Sequence, residues 1–275
     1  MTRRRWIADE FSDDRAALTG AHAAHLSRTL RARVGQEFEV ACGERVRRAN
    51  VTSVSDDRVE FTLGEDVAAN TVVPITLLLA IFKFDRMEWA IEKCTELNVN
   101  RVIPVVARRT EKHLALAAAK RVERWRRIAR EASEQSRRTS PPEISEPLKL
   151  KDALIVCHHE RAEPGAPASA GFALAGVKSG REGSAFRALP ATHEVGSNLR
   201  IVLAETEREA TLSEVFRAHS DIKSLALAVG PEGAWTPDEL QTFEQSEWSA
   251  ASLGETILRA ETAAIAALAI ARAEV

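Results

Sequence analysis

The sequence predicts an α/β protein in which a parallel sheet flanked by helices follows a small β-barrel, and three observations carry that reading. Up to about residue 71 the chain offers short alternating runs between turn residues, as in Glu37-Phe-Glu-Val40 and Arg58-Val-Glu-Phe-Thr-Leu63, the pattern of half-buried strands. After Pro74 the grammar changes to continuous apolar runs such as Thr76-Leu-Leu-Leu-Ala-Ile-Phe82, which suit strands buried on both faces. These runs alternate with amphipathic helical segments, and such alternation builds a parallel sheet. At 275 residues, two domains of unequal size are expected: a barrel over residues 1–72 and an α/β domain over residues 73–275.

Within the barrel, Asn50-Val-Thr-Ser-Val54 adds a strand, and Gly35, Cys42-Gly43, Ser55-Asp-Asp57 and Gly64 punctuate the runs. One helix, roughly His22 to Arg31, interrupts them. Beyond Pro74, Asp85 and Glu88 have the spacing of a capping box before a helix whose Met87, Ile91, Cys94 and Leu97 share one face. Arg101-Val-Ile-Pro-Val-Val106 reads as the next strand, with Pro104 implying an edge or irregular position. A long helix over about 117–135 would bury Val122, Trp125, Ala129 and Ala132 and turn Arg121, Arg124, Arg127 and Arg130 outward. Arg200-Ile-Val-Leu-Ala204 and Leu225-Ala-Leu-Ala-Val229 are further buried strands. Thr236-Pro-Asp-Glu239 combines an N-cap threonine, an N1 proline and an N3 glutamate, which marks a helix start. Ala250-Ala-Ser-Leu253 is a last short strand, ended by Gly254, and Arg259 to Arg272 forms an alanine-rich closing helix. Residues 159–199 have no usable period and are punctuated by Pro164-Gly-Ala-Pro167 and Ser179-Gly-Arg-Glu-Gly183; a mobile insertion is expected there.

Composition excludes some functions. The longest apolar stretch, near Thr262 to Ala271, is about half a bilayer span, and the basic start Met1-Thr-Arg-Arg-Arg-Trp6 has no apolar signal core behind it. A cytoplasmic protein without a membrane segment is expected. Cys42, Cys94 and Cys157 lie far apart, with no CxxC pair, so neither a disulfide framework nor a zinc cluster is indicated. No metal is expected. The net charge of -2 hides an asymmetry: residues 101–140 hold twelve Lys or Arg against four acidic residues, whereas residues 201–275 hold five against thirteen. The basic segment suits an anionic partner such as nucleic acid, or else forms solvated helix faces.

Two glycine-containing turns, Gly230-Pro-Glu-Gly233 and Leu253-Gly254, each follow a buried strand. Ligands of open parallel sheets bind at the carboxyl ends of strands. Glycines there admit a ligand close to the backbone, or simply make strand-to-helix turns. Neither turn resembles a phosphate-cradling loop. Arg259 and Glu261 stand at the start of an otherwise apolar helix, either as a structural pair with Glu261 favoured by the helix dipole or as part of a site.

Taken together, Phe84-Asp-Arg-Met-Glu-Trp89, Ala90-Ile-Glu-Lys-Cys-Thr-Glu-Leu97, Arg124-Trp-Arg-Arg-Ile-Ala-Arg-Glu-Ala132, Glu134-Gln-Ser136, Gly230-Pro-Glu-Gly233 and Ser252-Leu-Gly254 with Ile257-Leu-Arg259 and Glu261-Thr-Ala263 resemble the RsmE family, the 16S ribosomal RNA uridine-N3 methyltransferases. Arg3-Arg-Arg-Trp6 and His25-Leu-Ser-Arg-Thr-Leu-Arg31 are similar to that family's PUA-like RNA-binding barrel. The resemblance spans nearly the whole chain except about residues 157–199. It implies a SPOUT methyltransferase domain with a trefoil knot, an exception to the rule against threaded chains, working as a homodimer on 16S ribosomal RNA within the small subunit. It implies S-adenosylmethionine as cofactor, bound by Leu203, Ala204, Gly230, Glu232, Gly233, Leu253, Gly254, Ile257 and Leu258. RNA would be held by Arg3, Arg4, Arg5, Arg31, Arg108, Arg109, Arg121, Arg124 and Arg127. The sequence departs from the family at Ala234, where a second glycine is common, and at Phe82-Lys-Phe84, where Pro-Lys-Gly is frequent.

Methyl transfer to uracil N3 has a physical requirement, because that nitrogen carries a proton and becomes nucleophilic only as the proton leaves. The site must stabilise a developing anion or supply a base. Arg259 suits the electrostatic role, and Glu232 or Glu261 could accept the proton. Rival readings are a related enzyme acting on ribose 2′-hydroxyl or on transfer RNA, and an RNA-binding assembly factor that would not need Arg259.

Overall fold

The computed structural model describes residues 5–43, 45–67, 72–159, 197–207 and 209–275. In the first part, β1 (Trp6–Ile7), β2 (Glu10–Phe11), β3 (Arg15–Thr19), β4 (Glu37–Cys42), β5 (Arg45–Val54) and β6 (Arg58–Val67) form one sheet in the order β1-β4-β5-β6-β3-β2. Only the β1–β4 pair is parallel. The path is open, so the sheet is a curled half-barrel rather than a closed one. Alternate residues of β5 and β6 point into a core that includes Trp6, Leu18, Leu26, Phe38 and Phe61, as the period of two requires. Helix α1 (Gly20–Ala24), prolonged by a π-helical turn at His25–Thr29, lies against β3 and β6.

The second part alternates strand and helix: β7 (Ile75–Ala80), α2 (Phe84–Glu96), β8 (Arg101–Val106), α3 (Lys112–Ala117), α4 (Val122–Gln135), β9 (Glu143–Ile144), β10 (Leu148–Lys149), α5 (Leu150–His159), β11 (Ser197–Leu203), α6 (Leu212–Arg217), β12 (Ile222–Val229), α7 (Pro237–Gln245), β13 (Ser249–Ala251) and α8 (Ala260–Glu274). Its sheet is wholly parallel, in the order β10-β8-β7-β12-β11-β13, with β9 also pairing with β8. Every residue of β7 is buried. Leu77 and Leu79 face one core with Ile91, Trp125 and Leu268, while Leu78 and Ala80 face another with Leu154, Phe243 and Trp248. Helices cover both faces of the sheet, which is why its strands read as unbroken apolar runs.

Several local expectations are corrected. Asp85 and Glu88 form no capping box: α2 starts at Phe84, Lys83 is its N-cap without a side-chain bond, and Glu88 is taken by Arg124. The long helix is broken by a 3₁₀ turn at Ala118–Arg121. Pro104 lies in an inner strand, but opposite a gap: β9 pairs with Arg101 and Val102, β10 with Val105 and Val106. Pro104 has the parity of Val102, whose carbonyl accepts from the Ser145 amide across that side. Its missing N–H therefore faces the break and costs no ladder bond. Arg130 does not turn outward; it donates to the Ile7 carbonyl and to Asp9 of the half-barrel. Strand β11 begins at Ser197, three residues before the expected start, and the rest of the expected insertion falls largely outside the described residues. The box at Thr236 is formed, with Glu239 and Thr236 bonded reciprocally. Glu239 also accepts from the Arg108 amide at 2.7 Å, tying the β8–α3 loop to α7.

Candidate active site

Strand β11 lies between β12 and β13, so the loops leaving all three emerge side by side at one end of the sheet. They enclose a cavity of about 370 Å³, within the range of small-molecule sites. Leu203, Ala204, Gly230, Glu232, Leu253, Gly254, Ile257, Leu258 and Arg259 all line it. Gly233 does not: its carbonyl accepts from Arg109, and a Cβ there would lie 3.2 Å from the Arg109 side chain. Lys83, Arg86 and Trp235 also line the cavity and were not singled out from the sequence.

Local chemistry explains the loop shapes. Gly254 has φ +115°, a region L side chains rarely adopt. Ala234 has φ +60°, the left-handed conformation that explains why a glycine would suit this position. At Gly230 a Cβ would meet the Trp235 indole at 3.2–3.3 Å, so the glycine lets that ring pack against the strand end. Trp235, which lines the cavity, packs edge-on against Phe243 at 5.0 Å, which in turn meets Trp248 at 5.2 Å, so the core behind the cavity holds the indole in place.

The buried Trp235 Nε1, like those of Trp125 and Trp248, has no hydrogen-bond partner among the described residues, so it does not by itself mark a ligand. Among those residues, however, no backbone hydrogen bond engages Leu253 to Leu258. The loop thus keeps amide and carbonyl groups available beside the apolar side chains of Leu203 and Leu253.

The charged groups are arranged differently from expectation. Arg259 is the N-cap of α8, exposed, with no ion-pair partner among the described residues. It is neither buried nor paired with Glu261. Glu261, almost buried, lies 3.7 Å from Arg86 Nε, and Arg86 Nη1 lies 2.7 Å from Glu232 Oε1. A single guanidinium thus joins the start of α2 to the Gly230–Gly233 loop and to the first turn of α8. Its sequence signal was present in Phe84-Asp-Arg-Met-Glu-Trp89, but nothing local indicated its partners.

The arginines expected to meet RNA divide into groups. Arg31, Arg108, Arg109, Arg121, Arg124 and Arg127 are exposed. Glu88 draws Arg124 to 2.7 Å and Arg121 to 3.8 Å, and Arg121 also stacks on Phe84 at 4.9 Å. The Glu88 carboxylate holds the Arg124 guanidinium above its ordinary pKa. Arg5 is mostly covered, bonded to Glu39 at 3.0 Å and to the Arg137 carbonyl. Arg3 and Arg4 lie outside the described residues. Among the described residues, no cluster of His, Cys, Asp or Glu is placed to hold a metal ion, and no helix is long and apolar enough to cross a membrane.

Comparison with known proteins agrees with this architecture. A Bacillus subtilis protein named ribosomal RNA small subunit methyltransferase E is 28% identical over 266 residues, covering 92% of this chain and 87% of the relative. A Mycobacterium bovis protein of the same name is 32% identical over 196 residues, covering 71% of this chain and 61% of the relative. Among solved structures, ribosomal RNA small subunit methyltransferase E from Neisseria gonorrhoeae, crystallised with S-adenosyl methionine, superposes with a TM-score of 0.72 at 25% identity, over 97% of this chain and 95% of that one. The RNA methyltransferase domain family matches residues 69–163 and 184–272, the segments that supply α2, the basic helix α4 and all three loops of the cavity, and this chain belongs to that family.

Proposed function

We propose that this chain is an S-adenosylmethionine-dependent methyltransferase that methylates N3 of a uridine in the 16S ribosomal RNA of the small ribosomal subunit. The observation that carries the reading is the three-loop cavity with Arg259 at its edge, in a chain of the RNA methyltransferase domain family. The relatives named ribosomal RNA small subunit methyltransferase E support the choice of substrate.

The residues present fit the cofactor. Its adenine and amino-acid parts need backbone donors and acceptors, which Leu253 to Leu258 keep available, and an apolar wall, which Leu203 and Leu253 supply. When bound, S-adenosylmethionine supplies a methyl group already activated by a positively charged sulfur.

The chain's own task is the uracil. Arg259, exposed and with no ion-pair partner among the described residues, stabilises the negative charge that develops as N3 gives up its proton, and its permanent charge does not compete for that proton. Glu232 accepts the proton through the carboxylate oxygen that Arg86 does not hold. The half-barrel, with Arg31, and the exposed arginines of α4 and of the β8–α3 loop grip the RNA backbone. The same reading makes the protein a cytoplasmic homodimer, joined through the face of α8 that includes the exposed Thr262 and Ala269.

Mass spectrometry of 16S ribosomal RNA from cells with and without this protein tests the reading. N3-methyluridine should disappear without the protein and return when purified protein and S-adenosylmethionine are added to the unmodified small subunits. Retention of the mark in cells lacking the protein would overturn it.

A further inference from the structure

We propose that Arg86 is a positioning residue for methyl transfer: by bridging Glu232 and Glu261 it sets the shape of the Gly230–Gly233 loop and the direction of the Glu232 carboxylate. This inference rests on the function proposed above and assigns a part in it to a residue outside the three loops.

Arg86 projects from the first turn of α2, a helix anchored in the core through Met87, Ala90, Ile91 and Cys94. Its Nη1 meets Glu232 Oε1 at 2.7 Å, and its Nε approaches Glu261 Oε1 at 3.7 Å. The two carboxylates differ in kind. The Glu261 side chain is 7% exposed, and its Oε2 has no hydrogen-bond partner among the described residues. A buried carboxylate of this sort requires a counter-charge. The Glu232 side chain is 36% exposed and would be well solvated without a partner. An ion pair this open adds little to stability.

The two contacts therefore have separable consequences. Arg86 to Glu261 stabilises the fold where α8 meets α2. Arg86 to Glu232 orients: it fastens an exposed loop, which holds Ala234 in a left-handed conformation, to two packed helices. A planar guanidinium can direct donors at two carboxylates on separate elements, whereas a lysine ammonium acts as a point charge. Glu232 then faces the cavity from a fixed direction, with one oxygen engaged.

The test separates stability from positioning. Arg86→Ala should lower the melting temperature, because Glu261 loses its counter-charge. In the double variant Arg86→Ala/Glu261→Gln the buried charge is gone, so the melting temperature should recover. The loop remains unfastened, however. Cofactor binding by calorimetry should then weaken about tenfold or more, and kcat at saturating cofactor should fall by a similar factor, since small misplacements at a reacting centre are costly. Arg86→Lys should melt near the wild type and regain only part of the rate. Wild-type cofactor affinity and kcat in the double variant, or a wild-type rate in a folded Arg86→Lys protein, would overturn the proposal. Failure of the unaltered protein to bind S-adenosylmethionine would instead overturn the proposed function, so the two failures are distinguishable.

Discussion

Arg130 of α4 donates to Asp9 Oδ1 at 2.8 Å, and this bond fastens the basic helix of the parallel-sheet half to the half-barrel. The same guanidinium donates to the Ile7 carbonyl at 2.9 Å. Around it, His22 Nδ1 lies 3.4 Å from Asp9 Oδ1, and the fully buried Glu134 lies 3.7 Å from Arg130 Nε and 3.8 Å from His22 Nε2. The polar cluster spans the junction between the two sheets and fixes their relative placement.

Arg130→Ala should be among the most destabilising single changes in the chain. It leaves Asp9 and Glu134 without that guanidinium, and removing one member of a largely buried ionic cluster typically costs about 3–5 kcal/mol. Urea unfolding should show the midpoint falling accordingly. An unchanged midpoint would mean that the junction is held by other contacts.

Gly254→Val should abolish the rise in melting temperature that S-adenosylmethionine induces by mass action. At φ +115° a valine is strained, although nothing lies within 4 Å of the position its Cβ would take. The loop must therefore change shape, taking with it the backbone groups of Leu253 to Leu258, which make no backbone hydrogen bond among the described residues. A normal cofactor shift in the variant would show that this loop does not bind the cofactor.

Arg259→Ala should keep its fold, since the side chain makes no cap bond and no ion pair among the described residues. Single-turnover methylation should nevertheless slow by about 10² to 10³, the usual cost of removing one preorganised donor to a developing anion. Arg259→Lys should recover part of the loss. Near-normal catalysis in the folded alanine variant would exclude the electrostatic role.

Cys94 gives a pH prediction. Burial pushes its thiol from the ordinary 9.0 up to about 12. Because the folded-state value is raised, the stability contribution is fully present below pH 9.0 and is lost as pH rises towards about 12. Urea midpoints should fall over that window, and less steeply for Cys94→Ala once its own packing loss is subtracted. Equal slopes would show that other groups govern alkaline unfolding.

How much of this was legible in the sequence follows the range of the forces involved. The uninterrupted apolar run at Ile75–Ala80 and the Thr236 capping box were readable because burial pattern and cap bonds depend on neighbours a few residues away. The glycine turns at Gly230 and Gly254 were readable for the same reason, since backbone conformation is a local property. Strand order was not, and it is strand order that brings the loops after β11, β12 and β13 around one cavity. Nor were the charge partners. Asp85 and Glu88 had the spacing of a cap, yet Glu88 is drawn instead to Arg124, 36 positions later. Arg86 meets Glu232 across 146 positions and approaches Glu261, whereas Arg259, two residues from Glu261, has no ion-pair partner among the described residues. Periodicity and turn chemistry are written along the chain, whereas Coulomb attraction carries no sequence address, so only the docking of α2 against α4 and α8 decided which guanidinium met which carboxylate.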